Sequence, residues 1–361
     1  MTTSAGLPGN DTSARPGKPA ALVTGAAGFL GAHLVRALLA QGRVQVVALD
    51  DLSGGFRHNV PDGVEFVEAS VVDHAALARL FRRHRFRYVY HLAAYAAEGL
   101  SHFIRRFNYV NNVLGSINLI NEAVRAEVEC FVFTSSIAVY GAAPPPMRED
   151  QRPMPEDPYG VAKLAVELDL AAAQHMFGLP HVIFRPHNVY GEFQNLGDPY
   201  RNVIGIFMNQ ILQGRPLTVF GDGTQQRAFS YVGDIAPLIA EAPWVHAARN
   251  EVINVGADTP YSVNELAQEV GRALGKPGHP VEHLPARNEV QVAYSDHGKA
   301  RRVFGDHPQT PLREGLRKMA AWAARVGVQK SKPFEAVEVT RNLPPSWLRL
   351  LKSADPTAPL A

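Results

Sequence analysis

The sequence predicts an α/β fold: a doubly wound parallel sheet followed by a smaller C-terminal α/β unit. Three observations lead there. In the first half, short apolar runs alternate with longer stretches of helical periodicity. Between the first apolar run and the first helical one lies a glycine turn, with Gly25, Gly28 and Gly31 spaced three apart. After Arg185 the loops lengthen and fill with Gly, Asn, Asp and Gln, as in "GEFQNLGDPYRN" and "VFGDGTQQR". Strands separated by helices need crossover connections. The sheet is then parallel, and ligands are expected at the carboxyl ends of its strands.

The elements follow in order. Residues 1–19 are rich in Gly, Pro, Ser and Thr and lack an apolar stretch, so they read as a loose tail rather than a signal peptide. Strands are predicted at Ala20–Thr24, Val44–Leu49, Val64–Val67, Tyr88–His91, Cys130–Thr134 and His181–Arg185. Helices are predicted at Gly28–Gln41, His74–His84, Phe103–Arg125 and Tyr159–Phe177. Residues 20–185 make one domain. Residues 186–328 are mostly a second, with Glu251–Gly256 returning a strand to the main sheet. From Gln329 the chain is again Pro-rich and is expected to drape the surface as an extension. There is no internal repeat.

Composition excludes several classes. The chain has 361 residues, 46% hydrophobic and 19% charged, which is enough for a sizeable core and argues against wholesale disorder. Net charge is +2 and no basic run is dense, so no nucleic-acid partner is expected. The one cysteine, Cys130, excludes an internal disulfide and a cysteine-rich zinc site, and no metal is expected. The most apolar window, 21–40, contains the three glycines, His33 and Arg36. It reads as strand, turn and helix rather than a membrane span. A cytoplasmic protein is expected.

The glycine turn carries chemistry. The first glycine permits a tight turn, the second lets main chain approach a pyrophosphate, and the third lets the helix pack on the strand. The helix N-terminus then offers N–H groups to phosphates. About 20 residues on, "VVALDD" ends a second strand in Asp50, where a carboxylate can take the ribose hydroxyls and repel a 2′-phosphate. This is the pattern of a Rossmann dinucleotide site, with NAD favoured over NADP. Arg57 in the same loop leaves a 2′-phosphate open.

"TSSIAVYG" follows the apolar run "CFVF", so hydroxyls stand at the end of a buried strand, where they need partners or a function. "DPYGVAK" places Tyr159 and Lys163 one helical turn apart on one face, with Asp157 and Pro158 suited to the helix start. Alone, Tyr-x-x-x-Lys is common and reads as a surface pair. Beside the hydroxyl run and the dinucleotide turn it gains a role. The ammonium and an oxidised nicotinamide favour phenolate, and Tyr159 then acts as general base towards a sugar hydroxyl, with Ser136 bridging.

Together these segments resemble the extended short-chain dehydrogenases/reductases, the NAD-dependent epimerase/dehydratase family. The matching stretches are "TGAAGFLG", "HLAA", "NNVLGSINLI", "TSSIAVYG", "YGVAK", "RPHNVYG", "LTVFGDGTQQRAFSYVGDIA" and "PARNEVQVAYSD", from about residue 20 to 300. The branch they are most similar to is the UDP-sugar 4-epimerases. The resemblance implies catalytic roles for Ser136, Tyr159 and Lys163, with Lys163 also on the nicotinamide ribose. It implies a cofactor wall of Gly25, Gly28, Phe29, Leu30, Gly31, Asp50, Asp51, Ser53, Gly54, Ser70, Val71, Leu92, Ala93, Ala94 and Thr134, with Asn112 nearby. His91 reads as a satisfied strand-end histidine. Ser135, Asn188, Arg201, Asn202, Leu217, Val219 and Phe220 are implied around the substrate, and Arg227 and Arg287 on its diphosphate. The helices Phe103–Arg125 and Tyr159–Phe177 are expected to form an intersubunit four-helix bundle in a homodimer.

Departures from the family pattern narrow the choice. The 4,6-dehydratases carry Asp-Glu after the threonine and decarboxylases a glutamate, where this chain has Ser135-Ser136. The 3,5-epimerase and GDP-fucose synthase branches use a cysteine near this strand end, and Cys130 is at the other end. Ala228 follows Arg227 where an aspartate is common, and Ser70 replaces an acidic residue. Ala293 stands where some epimerases have tyrosine, which implies a roomier pocket. "GEFQN" lacks the basic residue of some uronate-binding members, a role open to Arg201. A 4-epimerase of UDP-glucose/UDP-galactose or UDP-glucuronate/UDP-galacturonate is the expected activity. A nucleotide-sugar 4-ketoreductase, dehydrogenase or dehydratase and a non-catalytic NAD-binding regulatory protein are the alternatives.

Overall fold

The structure is a computed structural model that describes residues 17–354 except 288–289, 308 and 331–333. Six strands, β1 (Ala20–Thr24), β2 (Gln45–Asp50), β3 (Glu65–Glu68), β4 (Phe86–His91), β5 (Cys130–Thr134) and β6 (His181–Pro186), are joined by the returning strand Glu251–Val255. All pair in parallel, in the order Glu251–Val255, β6, β5, β4, β1, β2, β3. The order reverses between β1 and β4, so a crevice opens there at the strands' carboxyl ends.

Alternation along the strands builds two cores. Ala21 and Val23 of β1, with Cys130 and Val132 of β5, pack on one face against Leu34, Val35 and Leu38 of the helix Phe29–Gln41. Leu22, Phe131 and Phe133 pack on the other face against Leu119 and Ile120, and against Val166 and Leu170 of the helix Pro158–Phe177. Both faces are covered, which is why these strands read as continuous apolar runs rather than alternating ones. A third core, with Phe207, Met208, Leu217, Leu266, Leu316 and Met319, lies under the later loops and helices. Short sheets there pair Leu217–Phe220 with Val281–Leu284, and Gln226–Ala228 with Pro260–Ser262 and Val292–Ala293.

The helix predicted over Phe103–Arg125 is broken. Ile104 leaves helical geometry at φ −134 and ψ 43, and the helix runs Arg105–Tyr109, then a π turn Val110–Leu114, then Gly115–Arg125. Buried polar residues account for the irregularity: Asn108 donates to Pro158 O at 2.8 Å, and Asn112 bridges Asn108 Oδ1 and the main chain of Tyr95. Such turns interrupt the regular ladder and recur near functional sites. Pro158–Phe177 begins as expected, with Asp157 accepting from Gly160 N at 2.9 Å and Pro158 in the first turn, and it ends at Gly178 in the left-handed region.

The Pro-rich end is more than a surface drape. Leu343 and Trp347 are buried with Ala97, Leu100 and Ile104, and a last helix, Pro345–Ala354, packs there. Among the described residues no helix is long and apolar enough to cross a membrane.

Candidate active site

One long cleft of about 1540 Å³ runs from the glycine turn, past the ends of β4 and β5, to the Leu217–Phe220 strand. At the first end the wall is main chain. Gly25 has φ +69, and a methyl there would stand 2.7 Å from Ala93 N; one at Gly31 would stand 2.0 Å from Gly25 O. No side chain caps the helix Phe29–Gln41 and its first turn holds no acid, so its N-terminal N–H groups suit an anion. Asp50 accepts from Ala27 N at 3.0 Å and Leu52 N at 2.8 Å, tying the two loops together. Burial pushes its carboxyl above the usual range, and those N–H groups pull it back.

Phe29, Leu30, Asp51, Ser53, Gly54, Val71, Leu92, Ala93 and Ala94 line this end. Three expected lining residues, Ser70 and Asn112 of this end and Leu217 of the substrate end, do not line the cleft. Ser70 lies between lining residues Ala69 and Val71 and accepts from Val72 N. Asn112 is 1% exposed and occupied by Asn108 and Tyr95, so it shapes the loop behind the wall. Leu217 is wholly buried in the third core, because alternation sends Thr218 and Phe220 to the cleft and leaves Val219 only partly on it. His91 is satisfied by Thr24 Oγ1 and Ser116 Oγ, both at 2.8 Å, and burial lowers it to about 3.

In the middle of the cleft, Thr134, Ser135, Ser136, Tyr159 and Lys163 meet. Ser136 accepts from Ala138 N at 3.1 Å and stands near enough to the Tyr159 phenol to influence its titration. Lys163 Nζ donates to Thr134 O at 2.8 Å and lies 5.8 Å from the Tyr159 ring. The expected lowering of the phenol by Lys163 is not what the chain itself produces. Burial is the largest influence and raises Tyr159, the nearby Ser136 hydroxyl opposes it, and burial lowers Lys163 to about 7. Ser135 plays a different part, donating to Glu167, which also takes Arg185 Nε at 3.0 Å. Arg185 donates on to the Tyr140 hydroxyl, which donates to Asn254. Glu167 and Arg185 are 5% and 4% exposed, so an ion pair underlies the whole hydroxyl run. Among the described residues, Thr134 Oγ1 is a buried hydroxyl on the cleft with no hydrogen-bond partner. A group left so implies a ligand.

Those observations fit a dinucleotide, and similarity agrees. Residues 21–256 match the NAD dependent epimerase/dehydratase family. The chain belongs to that family. The epimerase/dehydratase fold is shared with the UDP-glucose 4-epimerase of Thermotoga maritima solved with UDP-glucose, at TM-score 0.80 and 32% identity over 85% of this chain and 99% of that one. The UDP-glucuronic acid 4-epimerase of Bacillus cereus, solved with UDP-glucuronic acid and NAD, gives 0.78 and 29% over 85% and 99%. In sequence, the UDP-glucose 4-epimerase of Mycolicibacterium smegmatis is 37% identical over 306 residues, 82% of this chain and 96% of that one. The cofactor of this epimerase/dehydratase-family chain is NAD.

The far end of the cleft is made of side chains. Arg287 lies over the Phe220 ring at 3.8 Å and 5.6 Å from the Trp347 ring. Arg227 is anchored to main-chain oxygens of Gln226, Val290 and Gln291. Asn188 donates to Ala228 O at 3.1 Å, and Asn202, at φ 60, precedes the helix Val203–Leu212. Arg201 pairs with Asp198 at 2.5 Å and covers Tyr95. Ala293 lines the cleft as expected. Sequence reasoning missed Tyr95, Tyr200 and Trp347. The last had a signal: Leu343, Trp347 and Leu351 are spaced by four around Pro344-Pro345, the mark of an amphipathic helix start.

Proposed function

We propose that the protein interconverts the C4 epimers of a UDP-sugar through a transient 4-keto sugar bound throughout. The observation that carries this is the meeting of Ser136, Tyr159 and Lys163 at mid-cleft, with two arginines, Arg227 and Arg287, at the far end. The Tyr159 phenol takes the proton from the sugar O4 and gives it back. The Ser136 hydroxyl, beside that phenol, holds the sugar oxygen in line. Bound NAD supplies reversible oxidation at C4 and a positive charge beside the phenol, opposing the effect of burial. Lys163, fixed on Thr134 O, presents its remaining donors towards the cofactor ribose. Arg227 and Arg287 hold the diphosphate as forks. With the nucleotide tethered and the sugar loosely held, the keto sugar can present either face.

The sugar is read as an uncharged hexose. The Arg201 charge is neutralised by Asp198, which leaves no spare cation there for a C6 carboxylate. The outer surfaces of the broken helix and of Pro158–Phe177 carry Leu114, Val161 and Leu168, exposed by 48%, 40% and 64%. This apolar patch supports a homodimer through a four-helix bundle.

The test is turnover of UDP-glucose, UDP-glucuronate and UDP-N-acetylglucosamine by the protein as purified, with no NAD added. Epimerisation of the hexose, with a C4 deuterium label retained in the product, is expected. Turnover that appears only in a parallel assay with NAD added, with that NAD reduced in step with substrate consumption, would make the protein a dehydrogenase. Loss of the label to solvent would mean deprotonation at carbon and remove Tyr159 from its assigned role.

A further inference from the structure

We propose that the C-terminal segment Phe334–Leu350 is part of the substrate site: it roofs the cleft and holds Arg287 in readiness for the nucleotide diphosphate. The proposal rests on the reading of Arg287 as a diphosphate ligand. The Arg287 guanidinium meets two rings, Phe220 of the Leu217–Phe220 strand at 3.8 Å and Trp347 of the C-terminal segment at 5.6 Å. A guanidinium stacked on aromatic rings loses rotational freedom, and its planar fork matches the geometry of phosphate oxygens. Trp347 is thus a positioning residue that acts through Arg287. The fork is pre-organised before the nucleotide arrives, and less freedom is lost on binding.

The roof is fastened at both halves of the cleft. Trp347 is 5% exposed and meets Tyr200 edge-on at 5.1 Å, beside the Asp198–Arg201 pair. Phe334 packs on Tyr95 at 5.2 Å and on Phe107 at 4.9 Å. Tyr95 is the ring under Arg201, in the loop that follows β4. Glu338 caps the helix Arg105–Tyr109, accepting from Arg106 N at 2.7 Å and Phe107 N at 2.8 Å. Two carboxylate oxygens on two free N–H groups at a helix start make a strong, directional anchor. A segment that only covered apolar surface would need neither the cap nor the stack.

The Thermotoga maritima enzyme is matched over 99% of its length by 85% of this chain, so this chain carries residues that enzyme does not match, more than the tail ahead of β1 can hold. The C-terminal segment fits that surplus. It adds an enclosing wall to the nucleotide end without touching the hydroxyl run where chemistry is assigned.

The experiment compares UDP binding by calorimetry and steady-state kinetics in the full chain. Trp347→Ala should raise the Kd for UDP and the KM for the UDP-sugar about tenfold, the loss of a partly desolvated cation–π contact and its ordering, with kcat changed less than about threefold. Trp347→Phe, which keeps a ring, should recover most of that loss. Unchanged UDP affinity in Trp347→Ala, or a fall in kcat alone, overturns the proposal. Wild type that does not bind UDP overturns the nucleotide reading itself, which separates the two failures. A readout on wild type alone is trypsin cleavage after Arg341 and Arg349, both exposed on the roof. Saturating UDP should slow cleavage at both, and an unchanged rate counts against a roof that contacts the bound nucleotide.

Discussion

At the Gly25–Gly31 end the cleft wall is main chain; at the Phe220–Arg287 end it is side chain. In the first, positions are set by a strand, a turn and a helix adjacent in sequence, and the tolerance is sub-ångström: a single methyl at Gly31 meets Gly25 O at 2.0 Å. In the second, Phe220, Arg287 and Trp347 come from three distant segments and meet only through packing. The middle, with Ser136, Tyr159 and Lys163, stands on a third kind of support, the buried Glu167–Arg185 pair. A main-chain site cannot accept added atoms but is indifferent to most side-chain truncations. A side-chain site is the reverse.

Four substitutions or conditions sharpen that contrast, from the largest effect to the smallest. Tyr159→Phe deletes the oxygen proposed to transfer the proton and leaves both ends intact. Turnover should fall about 10²–10⁴-fold while NAD and UDP still bind, as measured by kinetics and cofactor absorbance. Retained turnover would take Tyr159 out of the chemistry. Glu167→Ala removes one member of the buried pair beneath the hydroxyls. Thermal and denaturant unfolding should show a loss of about 3–5 kcal/mol, since Arg185 is left buried and uncompensated. A loss under about 1 kcal/mol would mean that water relieves the arginine.

Gly31→Ala tests the main-chain end. The added methyl forces the turn apart, at about 1–3 kcal/mol of stability, and the purified protein should come without bound NAD. A variant that keeps its full NAD complement would show that the turn has slack. The smallest effect, taken per histidine and per pH unit, is a pH slope. Burial holds His91 and His187 at about 3. The unfolded chain binds their protons near 6.5 and the folded chain does not, so stability falls as pH drops from about 6.5 towards 3. Each histidine contributes about 1.4 kcal/mol per pH unit within that window. Unfolding of His91→Asn followed over about pH 3–7 should show a shallower slope than wild type; an unchanged slope would mean that His91 gains no protection from burial.

Which features were legible in sequence follows the same divide. The alternation of apolar runs and helical stretches, the glycine turn, Asp50 at the end of β2 and the Tyr159–Lys163 spacing are all local patterns, and each strand predicted for the sheet lies within two residues of where it is found. The cap and first turn of Pro158–Phe177 were readable for the same reason: Asp, Pro and Gly act on their immediate neighbours. The broken helix was not readable, since its π turn accompanies Asn108 and Asn112 satisfying the main chain of Pro158 and Tyr95, groups distant in sequence.

The sequence by itself determined the parallel sheet, the dinucleotide turn and the identity of the mid-cleft trio, because periodicity, glycine freedom and i, i+4 geometry are short-range. Only the tertiary structure decided that Ser135 serves Glu167, that Asn112 and Leu217 stand behind the wall, and that Trp347 reaches across to Arg287. Those outcomes depend on which face of an element a neighbour covers and on which buried polar group finds a partner. Such facts arise when segments far apart in the sequence come into contact in the folded chain.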